Sequence, residues 1–358
     1  MASSKGVLRR IGVRAALVLF SLAATALVGE ALIRATDPFG ISYYRDTNRY
    51  FNEAIDIPPD AGRPDGRLFQ NRRGIELSFT DFDFTTNALG MRSSRTDDGV
   101  TVDRSGASAG RSRVLFRGDS VTLAWGVDDG DSWIRTLERE ARAADGRPLE
   151  CLNAGHLQYN TIQESDWLAT FGPHLQPDAV VLTYVVNDLD DAWAVYEEWQ
   201  ALLAAGEAAE GPGGVELARQ KLLTWFRGIH GLWHFFDSRR EAQTVGEMKL
   251  ERVEDAPGYA ERWPLSEAAL DRIAGFCAER GIPFVVLDHT TPRIPGVRAW
   301  CEGSGTPYYD FTFTDAEWER DIRNSLADSH ANALGNRLLA EKALAALRDA
   351  GLLAEAEH

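Results

Sequence analysis

Apolar residues along the chain fall into four regimes. Residues 11–33 are almost continuously apolar. Residues 37–110 mix polar and aromatic positions without a helix-length periodicity, and Pro58-Pro59, Gly62, Pro64 and Gly66 mark loops there. From Arg113 onward, short apolar runs alternate with longer amphipathic stretches. This pattern predicts strands over 113–117, 149–153, 178–186, 283–288 and 307–310, and helices over 131–144, 161–172, 265–280 and 331–350. Such alternation predicts an α/β domain with a parallel sheet covered on both faces. The fourth regime, about 190–262, breaks the rhythm; it reads as a helical insertion whose Trp193, Trp199, Trp225 and Trp233 form its own packing core. Smaller features precede the domain. Ile75 to Phe84 alternates well enough for one or two short strands. Asn87 to Arg92 reads as a turn, and 97–112, rich in Asp, Gly, Ser and Arg, as an exposed linker. The expected divisions are 1–36, 37–112 and 113–350.

The first regime is a targeting signal. Lys5, Arg9, Arg10 and Arg14 precede an uncharged run from Ala15 to Gly29, and Glu30 and Arg34 follow. Ile11 to Ile33 reaches the roughly 20 residues a membrane span needs, provided Arg14 and Glu30 snorkel to the two interfaces. The positive flank places the N-terminus in the cytoplasm and the body outside it. Ala24-Thr25-Ala26 is an alternative signal-peptide cleavage site. An uncleaved anchor is the preferred reading, because the apolar run continues through Ala31, Leu32 and Ile33.

Composition narrows the function. At 358 residues and 44% hydrophobic, the chain can bury one large core or two small ones. A net charge of −16 repels nucleic-acid phosphates and argues against DNA or RNA as a partner. The three cysteines, Cys151, Cys277 and Cys301, form no C-x-x-C pair, so neither a zinc site nor a thioredoxin-like motif is expected. Cys277 and Cys301 pair only if the fold brings them together.

Ligands of open parallel sheets bind at the carboxyl ends of the strands. There the predicted strands end in Gly118-Asp119-Ser120, in Asn153-Ala154-Gly155-His156 and in Asn187-Asp188, while Ala327-Asp328-Ser329-His330-Ala331-Asn332 opens the last helix. These groups suit acyl transfer. A serine hydroxyl needs a base within hydrogen-bond reach, which His330 supplies. The imidazole needs an acceptor that fixes its tautomer, and Asp328 is close in sequence. The tetrahedral intermediate needs donors for its oxyanion, and the Ser120 and Gly155 N–H groups with the Asn187 amide supply three. Gly155 allows the backbone to approach the substrate without a Cβ in the way.

These four blocks, in this order, resemble the SGNH hydrolases, named for their Ser, Gly, Asn and His. Gly118-Asp119-Ser120, Asn153-Ala154-Gly155, Asn187-Asp188 and His330-Ala331-Asn332 with Leu334-Gly335 match the four blocks. Asn87, Gly90 and Arg92 also match an Asn-x-x-Gly-x-Arg turn of membrane-anchored bacterial members. The resemblance covers about residues 70–350, with the insertion unmatched. It implies a flavodoxin-like three-layer α/β/α sandwich and a serine esterase that removes acyl groups such as acetyl from a carbohydrate or small ester, or an O-acyltransferase with the same triad. It implies no metal or organic cofactor. Asp119, His156, Asp188 and His289 are further candidates for substrate contact, and His289 is a reserve candidate for the base. Two positions depart from the pattern. Val185 stands where the third block usually has glycine, and the usual aspartate position, three before the histidine, is Ala327. A catalytically inactive carbohydrate-binding module is the contrasting expectation.

Bland readings compete at single positions. Ser120 is a favoured helix cap, and Asn187-Asp188 suits a strand-to-helix turn. Gly106-Ala-Ser108-Ala-Gly110 matches a nucleophile elbow, but lies in a polar segment before the first strand rather than between a strand and a helix. Asp81-Phe-Asp83-Phe-Thr85 matches a phosphatase motif without a lysine at a suitable strand end.

Overall fold

The computed structural model describes residues 4–37, 40, 42–56, 69–189 and 259–355. Most of the expected insertion, with all four of its tryptophans, lies outside the described residues. The described residues fall into two units. One holds those before Arg45 together with Ser325–Asp328, and the other holds the rest.

The first unit is dominated by helix α1 (Ser4–Thr36). Its Arg9–Ile33 stretch, 25 residues, is long and apolar enough to cross a membrane. At 1.5 Å per residue it measures about 37 Å, against about 30 Å of bilayer hydrocarbon. Leu19 and Phe20 are exposed on it, as lipid-facing side chains would be.

Helix α2 (Ser42–Arg49) continues through a π-helical turn, Tyr50–Ala54, into β1 (Ile55–Asp56). This strand pairs antiparallel with β2 (Gln70–Asn71), and β3 (Glu76–Ser78) with β4 (Asp83–Thr85). The second pair lies where the alternation over Ile75 to Phe84 predicts one or two short strands.

The sheet of the second unit then alternates with helices in chain order. Strand β5 (Ser112–Gly118) leads to α3 (Ser120–Leu123) and α4 (Trp133–Glu140); β6 (Leu149–Asn153) leads to α5 (Thr161–Leu175). Strand β7 (Ala179–Tyr184) follows, then α6 (Tyr259–Arg280), β8 (Phe284–Asp288), α7 (Pro295–Ser304), β9 (Tyr308–Asp310), α8 (Asp315–Trp318) and α9 (Ala333–Asp349). The strand order is β6-β5-β7-β8-β9, all parallel. Renumbered from the first sheet strand this is 2-1-3-4-5, the doubly wound flavodoxin-like order, and its switch point lies between β5 and β7.

Strands of such a sheet are buried on both faces and read as continuous apolar runs. Residues 112–118, 149–153 and 179–184 are accordingly all buried. On one face Val114, Phe116, Cys151, Val181 and Leu287 pack with Trp133, Ile134 and Leu137 of α4 and with Leu338, Leu339 and Leu347 of α9. Helices α5 and α6 pack together on the other. Gly172 is the close point between them: a Cβ there would lie 2.6 Å from the Phe276 ring.

Two expectations need correction. Residues 97–112 are largely exposed but do not form a free linker. Ser108 is fully buried and bonded to Glu150, and Arg104 pairs with Asp178 at 2.7 Å. The predicted helix over 131–144 is shorter, because Asp129–Asp131 form a 3₁₀ turn, Ser132 caps the helix and the chain turns extended at Ala141. Cys277 and Cys301 do not pair; all three cysteines are buried free thiols. Helix α7 was not anticipated, although Pro295 in its first turn and Gly305 at its C-cap, with φ of 73°, are ordinary helix punctuation.

Candidate active site

Ser120 follows β5 at the switch point, as the first residue of α3. Gly118 makes the turn possible: its φ is 150°, and a Cβ would lie 2.0 Å from the Thr122 hydroxyl and 3.0 Å from the Thr183 carbonyl. Asp119 caps the short helix, accepting from the Val121 N–H at 2.9 Å. Its other oxygen accepts from the Ser120 hydroxyl, also at 2.9 Å. Burial raises the Asp119 pKa, opposed by these bonds and by the nearby His330.

The Asn-x-x-Gly-x-Arg turn braces this helix from behind. The Asn87 carboxamide oxygen accepts from the Leu89 and Met91 N–H groups. Gly90 takes a φ of 78°, where a Cβ would lie 2.7 Å from the Asn71 carbonyl. The turn thereby delivers Arg92 into the interior, fully buried, where its guanidinium donates to the carbonyls of Leu123 (2.7 Å), Ala124 (2.6 Å) and Val127. Those carbonyls belong to the end of α3 and the loop after it. Arg92 thus does for Ser120 what the turn residues alone could not reveal. Trp133 adds an indole N–H to the Val121 carbonyl at 2.9 Å.

The second block lies against the first. Ala154 N–H donates to the Phe116 carbonyl and His156 N–H to that of Gly118, which fixes the loop on β5. Gly155 is required by close packing on α3: a Cβ there would lie 2.3 Å from Leu123 N and 2.9 Å from Leu123 Cα. The Gly155 N–H donates to the Asn153 side chain at 3.1 Å. His156 is interior, stacked on Tyr159 at 4.3 Å, and burial beside Arg117 holds its pKa well below the usual histidine value.

The third block follows β7 as a 3₁₀ turn, Val186–Leu189. Asp188 is buried and holds the turn, accepting from the Val185 N–H at 2.6 Å and the Thr161 hydroxyl at 2.9 Å. Asn187 is half-buried; one of its amide hydrogens goes to the Tyr159 carbonyl at 3.1 Å. Val185 is buried.

The last block is held from α9. Asn332 caps the helix by accepting from Gly335 N–H, and its amide donates to the carbonyls of Asp321 and Arg323. A Cβ on Gly335 would lie 2.7 Å from the Ile322 carbonyl. Asn324 N–H donates to the His330 carbonyl at 2.9 Å. Asn336, which sequence reasoning missed, donates to the Ala331 carbonyl at 2.7 Å and accepts from Trp133 N–H. Asp328 belongs with Ser325 in the first unit; its N–H donates to the Ser325 hydroxyl at 3.0 Å, and its carbonyl accepts from Ser325 N–H.

Ser120, Asp119, Asn187, His289 and His330 line one cleft of about 220 Å³, together with Trp125, Val185, Phe313, Trp318 and Asn336. Gly155, His156, Asp188 and Asp328 are not among its lining residues. Among the described residues, the lining carries one carboxylate, two imidazoles, and neither lysine nor arginine. Deeper in the same layer as α5, the buried Arg117 guanidinium lies 4.4 Å from the Trp167 ring. Near it, burial raises the Glu164 pKa to about 8, against the pull of Arg117.

No family model matches the chain, and no curated protein matches it. Solved structures similar to it include three enzymes. A psychrotrophic esterase from Pseudoalteromonas sp. is 10% identical, with a TM-score of 0.40 over 66% of this chain and 97% of that one. An α/β hydrolase enzyme from the metagenome of Lake Arreo, Spain, is 15% identical, with a TM-score of 0.37 over 66% of this chain and 94% of that one. An acetyl xylan esterase is 13% identical, with a TM-score of 0.36 over 66% of this chain and 99% of that one.

Proposed function

We propose that the protein is a serine ester hydrolase of the SGNH type, held at a membrane by α1 with its catalytic unit on the extracytoplasmic side. The observation that carries this reading is the gathering of Ser120, Asn187 and His330 in one cleft at the switch point of the sheet. In this mechanism the Ser120 hydroxyl leaves Asp119 and gives its proton to His330 as Oγ attacks the acyl carbonyl. The Ser120 N–H and the second amide hydrogen of Asn187 hold the oxyanion, and Gly155 N–H joins them as a donor shared with Asn153. Each such donor contributes about 3 kcal/mol to transition-state stabilisation. His330 returns the proton to the departing alcohol, and water then repeats the sequence on the acyl-enzyme. Asp328, two residues before His330, is the orienting carboxylate on sequence grounds. Among the described residues the cleft lining holds no lysine or arginine, which suits a neutral ester better than an anionic one. For orientation, the cluster of Lys5, Arg9, Arg10 and Arg14 before the apolar run supports a cytoplasmic N-terminus.

The test is the intact mass of the protein after treatment with a fluorophosphonate. The reading expects one adduct on the parent and none on Ser120→Ala. An unlabelled parent would exclude Ser120 as an activated nucleophile and favour a binding module.

A further inference from the structure

His289 stands just past the carboxyl end of β8 and lines the cleft that Ser120 and His330 share. Its Nδ1 lies 2.8 Å from the Phe311 carbonyl oxygen. A carbonyl only accepts, so Nδ1 must carry the proton. A neutral imidazole has a single N–H, which leaves Nε2 as an acceptor only. Burial lowers the pKa of His289, which keeps the ring in that neutral form. The ring is also fixed in orientation, edge-on to Phe311 at 5.9 Å and to Phe313 at 5.6 Å. Its bonded nitrogen is thus turned to the protein, and Nε2 has no hydrogen-bond partner among the described residues.

A fixed acceptor in a cleft needs a donor when water is displaced, because a polar group left dry and unpaired is destabilising. The ester group itself has no donor. A donor must come from elsewhere on the substrate, and a hydroxyl is a neutral group that supplies one. Trp125, Phe313 and Trp318 give the same cleft apolar aromatic walls, which suit the C–H faces of a polyol or sugar ring. We infer that His289 Nε2 accepts a hydrogen bond from a substrate hydroxyl, and that the site thereby selects esters of polyhydroxy alcohols over esters of simple alcohols. The inference rests on the ester-hydrolase reading and deepens it. It also separates the roles of the two cleft histidines, His330 taking the nucleophile's proton and His289 reading the substrate.

The experiment compares glycerol monoacetate with ethyl acetate, which share the acyl group and differ in the hydroxyls. It measures kcat/KM on the full chain for the parent, His289→Leu and His289→Gln, and measures how well each ester protects Ser120 from fluorophosphonate. The parent prefers glycerol monoacetate in both assays. His289→Leu lowers that preference at least tenfold, with the change carried by KM, and His289→Gln, whose side-chain oxygen still accepts, recovers part of it. The Gln variant also controls for loss of folding in the Leu variant. An equal loss on both esters in both variants would overturn the inference and make His289 part of the chemistry. An unchanged preference in His289→Leu would overturn it by showing that Nε2 does not meet the substrate. Labelling of Ser120 in the parent distinguishes either failure from failure of the ester-hydrolase reading, since without that label both readings fall.

Discussion

Gly155→Ala tests whether the second block acts by contact with the helix that bears Ser120. Alanine keeps the backbone N–H, so any role of Gly155 as a hydrogen-bond donor survives the change. What alanine adds is a methyl group 2.3 Å from Leu123 N and 2.9 Å from both Leu123 Cα and Thr122 C. Ordinary contact begins near 3.4 Å, so the methyl is more than 1 Å too close, and the atoms it meets are backbone. Neither partner can yield by a rotamer change. Phe116 and Gly118 hold the Gly155 loop by two backbone bonds, and Arg92 clamps the far end of α3. Overpacking of this kind costs about 1–3 kcal/mol. Leu123 closes the same short helix that Ser120 opens, so relief of the clash displaces Ser120, the proposed nucleophile. A displacement of about 1 Å costs on the order of 10²-fold in rate. The assay pairs the urea unfolding midpoint with the rate of fluorophosphonate labelling, and both should fall. A variant with the parent's stability and labelling rate would refute the packing argument. A stable variant with slow labelling would instead place the strain wholly in the site.

Four further outcomes follow from the structure. Arg92→Lys keeps the charge but cannot reach three carbonyls, so it should lose about 3 kcal/mol of stability and slow Ser120 labelling; an unchanged urea midpoint would show that the clamp is idle. Asp328→Asn should lower kcat/KM by about 10²–10⁴-fold while the fold persists, and activity within threefold of the parent would remove Asp328 from the mechanism. Glu164 has its pKa raised from 4.5 to about 8 by burial, so between these values the native state holds a proton that the unfolded chain has released. Its contribution is complete below pH 4.5 and is lost as pH rises through about 8, at up to ~1.4 kcal/mol per pH unit; Glu164→Gln should flatten this decline in urea titrations, and an identical slope would count against a neutral Glu164. His156 works in the opposite sense: its depressed pKa contributes stability above pH 6.5 that is lost as pH falls below it, so His156→Phe should reduce acid sensitivity, and an unchanged acid midpoint would contradict the buried neutral ring.

The sequence by itself determined the sheet and the loops that carry the candidate site. Strands buried on both faces must be short apolar runs, whatever they pair with, so β5 to β9 were visible within a residue or two at most ends. The polar residues that end those runs, Ser120, Asn187 and His289, fall by that fact alone at one edge of a parallel sheet, and His330 was picked out by its place before α9. Local periodicity says nothing of what meets what across a long stretch of chain. Arg92 reads as a turn residue until the fold brings it under the Leu123 carbonyl. Asn336 reads as one polar position in a helix until it bonds Trp133, about 200 residues earlier in the chain. The close approach of Gly155 to Leu123 is likewise invisible until α3 is packed on it. The protonated nitrogen of His289 depends on where the Phe311 carbonyl lies, which only the β8–β9 register sets. Burial patterns are written residue by residue, whereas clamps, close approaches and tautomers belong to pairs of residues, and the tertiary structure alone chooses the pairs.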